Sequence, residues 1–69
     1  MHYELQKAMQ RELNERIPPA PNGDPQNELR NVVNSQRLGG KSFDQSVTIA
    51  LSLMLQRYPH FIPRILPPR

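Results

Sequence analysis

Residues 43–58 read FDQSVTIALSLMLQRY, and their apolar members recur at intervals of three and four along the chain. This spacing places them on one face of an α-helix. Ile49 and Leu53 lie beside that face and widen it. A helix that is apolar over so much of its circumference is expected to be central in the fold or shared with another chain. The face consists of Phe43, Val47, Ala50, Leu51, Met54, Leu55 and Tyr58.

Two more helices are predicted before this stretch, at residues 3–16 and 25–38. The second has Asp24 as a suitable N-cap and Pro25 at its first position, and Gly39 suits the C′ position at its end. Both helices offer only narrow apolar edges for packing. The edge of the first helix consists of Leu5, Met9 and Leu13, with Ile17 continuing the line just after it, and the edge of the second consists of Leu29, Val32, Val33 and Leu38.

The third helix is predicted to cover residues 43–58. Ser42 and Gln45 have the spacing of a capping box at its start, and Pro59 ends it. The sequence therefore predicts a single all-α domain over residues 1–69, in which the third helix is the core and the other two helices cover parts of it.

The connections are rich in proline, with eight prolines in the 69 residues. The linker at residues 17–23 is either a semi-rigid arm or an ordered connection laid across the helices. The tail at residues 59–69 cannot be helical with four prolines, yet it is too apolar for a disordered segment. We expect the tail to pack on the third helix, on a second copy or on a partner. Its apolar residues are Phe61, Ile62, Ile65 and Leu66.

Composition excludes several classes of protein. The chain has no cysteine, and its two histidines, His2 and His60, have no acidic cluster around them. No catalytic constellation, metal site or cofactor motif is recognisable, so we expect a protein that is not an enzyme and takes no small-molecule substrate. Its longest apolar stretch is too short to span a membrane, and its first residues do not resemble a signal peptide. A soluble, cytoplasmic protein is therefore predicted.

The charge is unevenly distributed over the chain, whose net charge is +3. Three basic and five acidic residues precede Arg30, whereas six basic residues and one acidic residue follow from Arg30 onward. A basic half suits nucleic acid, an acidic protein surface or the acidic half of the same chain. A solvated surface without a partner explains the same pattern equally well.

Two short motifs have simpler structural explanations. Residues 38–42 read LGGKS, which resembles the end of a phosphate-binding loop, but Ser35 stands where that motif needs its first glycine. Two helices joined by a glycine turn also suggest a helix-turn-helix DNA reader. The third helix is too apolar to read bases, so the second helix is the better candidate.

Two functional hypotheses follow. The first is a small regulatory or adaptor protein that acts by binding another protein or a second copy of itself, with a homodimer expected. The second is a nucleic-acid-binding regulator; a subunit that folds only within a larger assembly is a weaker third. The predicted protein-binding residues are Ile49, Leu53, Arg57, Phe61, Ile62, Arg64, Ile65 and Leu66, and the nucleic-acid set is Arg30, Asn34, Arg37, Lys41, Arg57, Arg64 and Arg69.

Overall fold

A computed structural model describes residues 3–68 of the chain and contains three α-helices in this part. They are α1 (Tyr3–Arg16), α2 (Pro25–Leu38) and α3 (Phe43–Arg57). The described residues include no strand, so the predicted all-α fold with three helices is confirmed. The radius of gyration is 11.8 Å, close to the value of about 11 Å for a compact chain of this length.

The starts of α2 and α3 have the capping contacts that the sequence predicts. The Gln26 N–H donates to Asp24 Oδ1 at 2.8 Å, and Pro25 occupies the first turn. At α3 the Gln45 N–H donates to Ser42 Oγ at 3.1 Å, and the Ser42 N–H donates to Gln45 Oε1 at 3.1 Å. These contacts satisfy N–H groups that have no partner within the helix.

The turn after α2 differs from the prediction by one residue. Gly39 has φ −81°, and the left-handed residue is Gly40 with φ 99°. The Gly40 N–H donates to Arg37 O at 2.9 Å, and the Lys41 N–H donates to Gln36 O at 3.2 Å. This is a Schellman motif, in which the left-handed residue comes one position later than we predicted.

The third helix ends at Arg57 rather than at Tyr58. Tyr58 has φ −132° and ψ 83°, outside the helical region. The cause is Pro59, because the ring of a proline disfavours the helical conformation of the residue before it.

The core lies where the three helices and the tail meet. α2 packs along α3 and also against α1, whereas α1 joins the core through its carboxyl-terminal half. We expected α3 to be the central helix, covered in part by both other helices; instead α2 is the helix that packs against both α1 and α3. The buried cluster consists of Leu13, Ile17, Leu29, Val33, Phe43, Ala50 and Met54.

Three apolar residues are less buried than their helical positions suggested. Leu5 is 58% exposed and Leu38 is 62% exposed, and Leu38 lines an open depression between α1 and α2 together with Met9. Leu55, predicted for the buried face of α3, is 46% exposed at the edge of that face. Ser46 is fully buried instead, and its hydroxyl donates to Ser42 O at 2.7 Å.

Candidate protein-interaction site

A buried glutamine joins the tail to the amino-terminal end of α2. The Gln26 side chain has no exposed surface, and its Nε2 donates to Arg64 O at 2.8 Å and to Pro18 O at 3.1 Å. Its Oε1 accepts from the Arg64 N–H at 3.1 Å. One amide therefore pairs with both main-chain polar groups of a single tail residue, as a neighbouring strand would.

Arg16 forms a second contact of the same kind two residues further along the tail. The Leu66 N–H donates to Arg16 O at 2.7 Å, and Arg16 Nε donates to Leu66 O at 2.7 Å. The Arg16 guanidinium also lies 4.8 Å from the centroid of the Phe43 ring. The N–H and C=O groups of Arg64 and Leu66 point to the same side of the extended tail, and Gln26 and Arg16 bind them there.

The side chains of the tail alternate between the core and solvent. Phe61 and Ile65 pack against the core, whereas Ile62 is 83% and Leu66 is 48% exposed. Period-two alternation is the pattern of an extended segment with one face covered. We call residues 61–66 with their Gln26 and Arg16 contacts the clamped tail.

These contacts also satisfy the carbonyl groups at the end of α1. The carbonyl oxygens of Arg16, Ile17 and Pro18 accept, in that order, from the Leu66 N–H, from Arg30 Nη1 at 2.9 Å and from Gln26 Nε2. Helix ends leave such carbonyl groups without intrahelical partners, and side chains or other segments must supply donors. The tail is therefore part of how α1 is terminated.

The linker after α1 is the ordered connection rather than a projecting arm. Asn27 Nδ2 donates to Ala20 O at 2.8 Å and to Pro21 O at 3.0 Å, and Asn27 Oδ1 accepts from the Ala20 N–H at 3.0 Å. Gly23 follows with φ 89°, the left-handed conformation that favours glycine.

The arginines proposed for nucleic acid make contacts within the chain. Arg30 binds Ile17 O and Asn14, Arg37 pairs with Glu12 across α1 and α2, and Arg57 pairs with Glu28. Of the remaining members of this set, Asn34 is half-buried, Lys41 and Arg64 are exposed, and Arg69 lies outside the described residues. Nucleic-acid binding stays a prediction, and these contacts give it no support.

Glu28 also accepts a hydrogen bond from the Tyr58 phenol, and this bond makes part of the stability depend on pH. The Tyr58 hydroxyl donates to Glu28 Oε1 at 2.9 Å. This hydrogen bond to a carboxylate, together with desolvation and the charge of Glu28, raises the pKa of Tyr58 above its usual 10.0. Because the folded pKa is raised, the contribution to stability is complete below pH 10.0 and is lost as the pH rises through the folded value.

We expect this shift to be visible in an absorbance titration of the Tyr3→Phe variant, which leaves Tyr58 as the one tyrosine. Its phenol should ionise above pH 10.0, and Glu28→Gln should lower the midpoint because the carboxylate is removed. A midpoint at or below 10.0 with Glu28 intact would contradict the hydrogen bond.

The side of α3 that faces away from the core has no charged residue between Gln45 and Gln56. Ile49 is half-buried and Leu53 is 46% exposed on this side. A shallow depression of about 370 Å³, lined by Lys41, Asp44, Gln45, Thr48 and Ile49, continues it toward the start of the helix. We call Gln45, Thr48, Ile49, Ser52, Leu53 and Gln56 the outer face of α3.

The predicted protein-binding residues thus fall into two groups. Phe61 and Ile65 are occupied by contacts with the chain's own core. The others are at least partly accessible: Ile49, Leu53, Arg57, Ile62, Arg64 and Leu66. Sequence reasoning missed Gln26, Asn27 and Arg16, and no local pattern marks them, because their partners lie elsewhere in the chain.

Nothing matches this chain among protein-family models, curated proteins or solved structures. Within residues 3–68, no group of three or more His, Cys, Asp or Glu side chains is placed to hold a metal ion. In the same range no helix combines the length and the hydrophobicity that crossing a membrane requires.

Proposed function

We propose that this chain is a small non-enzymatic regulatory or adaptor protein that acts by binding protein, and that the outer face of α3 is its docking surface. The observation that carries the proposal is the combination of accessible aliphatic side chains and missing charge on this face. Leu53 is 46% exposed and Ile49 is half-buried, and no charged residue lies between Gln45 and Gln56.

Such a surface is unusual for a helix that faces only water. The solvent side of a surface helix normally carries charged and polar residues, whereas the centre of a protein interface is depleted of charge. On α1 the charged residues Lys7 and Arg11 are exposed, as is usual. The outer face of α3 carries polar residues but no charged one, and this lack of charge favours docking.

A second copy of this chain is the partner that the charges favour. The chain carries a net charge of +3, so most pairings of identical surfaces bring like charges together. Two outer faces of α3 meet without that repulsion, because neither carries a charge. The contact is small, since α3 has 15 residues and spans about 22 Å. We expect a weak dimer, with a dissociation constant of roughly 10 to 100 μM.

Leu53→Glu is expected to abolish this dimer and leave the fold intact. The side chain is half exposed in the single chain, so a carboxylate there stays hydrated, whereas two copies would bury both carboxylates against each other. We expect the weight-average mass in sedimentation equilibrium at about 300 μM to fall from about 1.7 to 1.9 times the monomer mass in the wild type to the monomer mass in the variant. Circular dichroism should show unchanged helix content.

Leu5→Glu is the matched control, because Leu5 is an exposed leucine on α1, away from the outer face of α3. This variant should dimerise as the wild type does. A wild-type chain that is monomeric at 300 μM, or equal loss of dimer in both variants, would refute the proposal.

A further inference from the structure

The clamped tail is recognised through its main chain. Gln26 contacts the N–H and C=O of Arg64, and Arg16 contacts the N–H and C=O of Leu66. None of these contacts involves the Arg64 or Leu66 side chain. Pairing with backbone groups at alternate positions is how extended peptides are bound at sheet edges, where side chains at the intervening positions add specificity.

We infer that the cleft between α1, α2 and α3 is a binding site for an extended peptide, and that the tail of a second copy can occupy it in place of the chain's own tail. Each copy carries both the cleft and the segment that fits it. This inference is independent of the proposed docking through the outer face of α3.

The segment that fits has a defined chemistry. Phe61, Pro63 and Ile65 are each partly covered, whereas Ile62 and Arg64 are exposed. The cleft therefore selects a bulky apolar residue, a proline two positions later and an aliphatic residue two positions after that. Proline has no backbone N–H, and position 63 can hold it because the N–H groups that bond to the cleft belong to residues 64 and 66.

A short turn is all that must change for the tail to be exchanged. The tail leaves α3 through a turn in which the Phe61 N–H donates to Tyr58 O at 3.0 Å. Opening this turn at residues 58–60 lets residues 61–66 reach a second cleft and form the same contacts there. A dimer formed by exchange of an identical segment costs little free energy, because the contacts of the single chain are formed again between the two copies.

One exposed residue favours a second copy as the occupant. Ile62 is 83% exposed and follows the turn directly, so it is an apolar side chain with little cover in the single chain. In an exchanged dimer the two connecting turns would lie next to each other, and we expect the two Ile62 side chains to cover one another there.

The chain's own tail competes with any added tail for the cleft. Because it is attached through a short connection, its effective concentration at the cleft is of the order of millimolar. The wild-type chain therefore keeps its own tail at ordinary concentrations, and a variant with a weakened tail exposes the cleft. Ile65→Asp is such a variant, because it places a carboxylate against the core and leaves Gln26 and Arg16 unchanged.

The test uses the full-length Ile65→Asp chain and a fluorescent synthetic peptide, PHFIPRILPPR, which corresponds to residues 59–69. Fluorescence anisotropy should show saturable binding that is about ten-fold or more tighter than binding to the wild-type chain. The same peptide carrying Ile65→Asp is the matched control and should not bind.

Each outcome decides the inference. A folded Ile65→Asp chain that does not bind the peptide overturns it. If Ile65→Asp lowers the helical circular dichroism, recovery of the signal with saturating peptide supports the inference, and no recovery overturns it. Adding Leu53→Glu should leave peptide binding unchanged, so a failure of docking through the outer face of α3 is distinguishable from a failure of the cleft.

Discussion

Removal of residues 59–69 is expected to lower the free energy of unfolding by about 3 to 5 kcal/mol. The loss has two causes. Phe61 and Ile65 no longer cover the core, and the Gln26 amide loses its pairing with Arg64. A 69-residue chain has a total stability of roughly 3 to 10 kcal/mol, so the truncated chain should be partly unfolded at 25 °C. Urea denaturation followed by circular dichroism measures the change.

The matched control removes residues 67–69 alone. Pro67 and Pro68 are exposed, and the last clamping contact is made by Leu66. This shorter deletion should change the free energy of unfolding by less than about 0.5 kcal/mol. Equal stability of the wild type and the chain without residues 59–69 would show that the tail is not part of the fold.

Gln26→Met is expected to cost about 2 to 4 kcal/mol of stability. Methionine has a similar length and a similar helix propensity, so the substitution isolates the loss of three hydrogen bonds. The main-chain groups of Pro18 and Arg64 would then lie against a thioether, and groups left without a partner carry their full desolvation cost. The melting temperature of a domain of this size should fall by about 10 °C or more.

Gln10→Met is the control for this substitution, because Gln10 is exposed on α1 and bonds only to Asn14 one turn away. We expect a change below about 0.5 kcal/mol. If both glutamine variants melt at the temperature of the wild type, the buried amide has no structural role.

The helix ends that local residues define were predicted well. Ser42 and Gln45 lie three positions apart and contact each other, as Asp24 and Gln26 do over two positions. Such signals need no knowledge of the rest of the fold. The same locality explains why the end of α3 was placed within one residue from Pro59.

The extent of each packed face could not be predicted, since helical periodicity shows which residues share a face but not how far a neighbour covers it. Leu5 and Met9 belong to one stripe on α1, yet Leu5 is 58% exposed and Met9 is 9% exposed. Leu55 is left uncovered in the same way at the edge of the buried face of α3.

The roles of the polar residues depended on distant partners. Gln26 had no distinguishing mark in the sequence, because its acceptor and donor groups lie 8 and 38 positions away. Arg30 and Arg37 are of the residue types that bind bases, and their contacts with Ile17 O and Glu12 follow only from the packing of α1 on α2. The absence of charge from the outer face of α3, in contrast, was readable from residues 45–56 once that face was known.

Amide hydrogen exchange of the tail, followed by NMR, tests most directly whether the tail is clamped to its own fold. The N–H groups of Arg64 and Leu66 donate to Gln26 Oε1 and to Arg16 O. Both should exchange slowly, and the N–H of Ile65 between them should exchange at the rate of an open chain. Uniformly fast exchange from Phe61 to Leu66 would contradict the clamped tail.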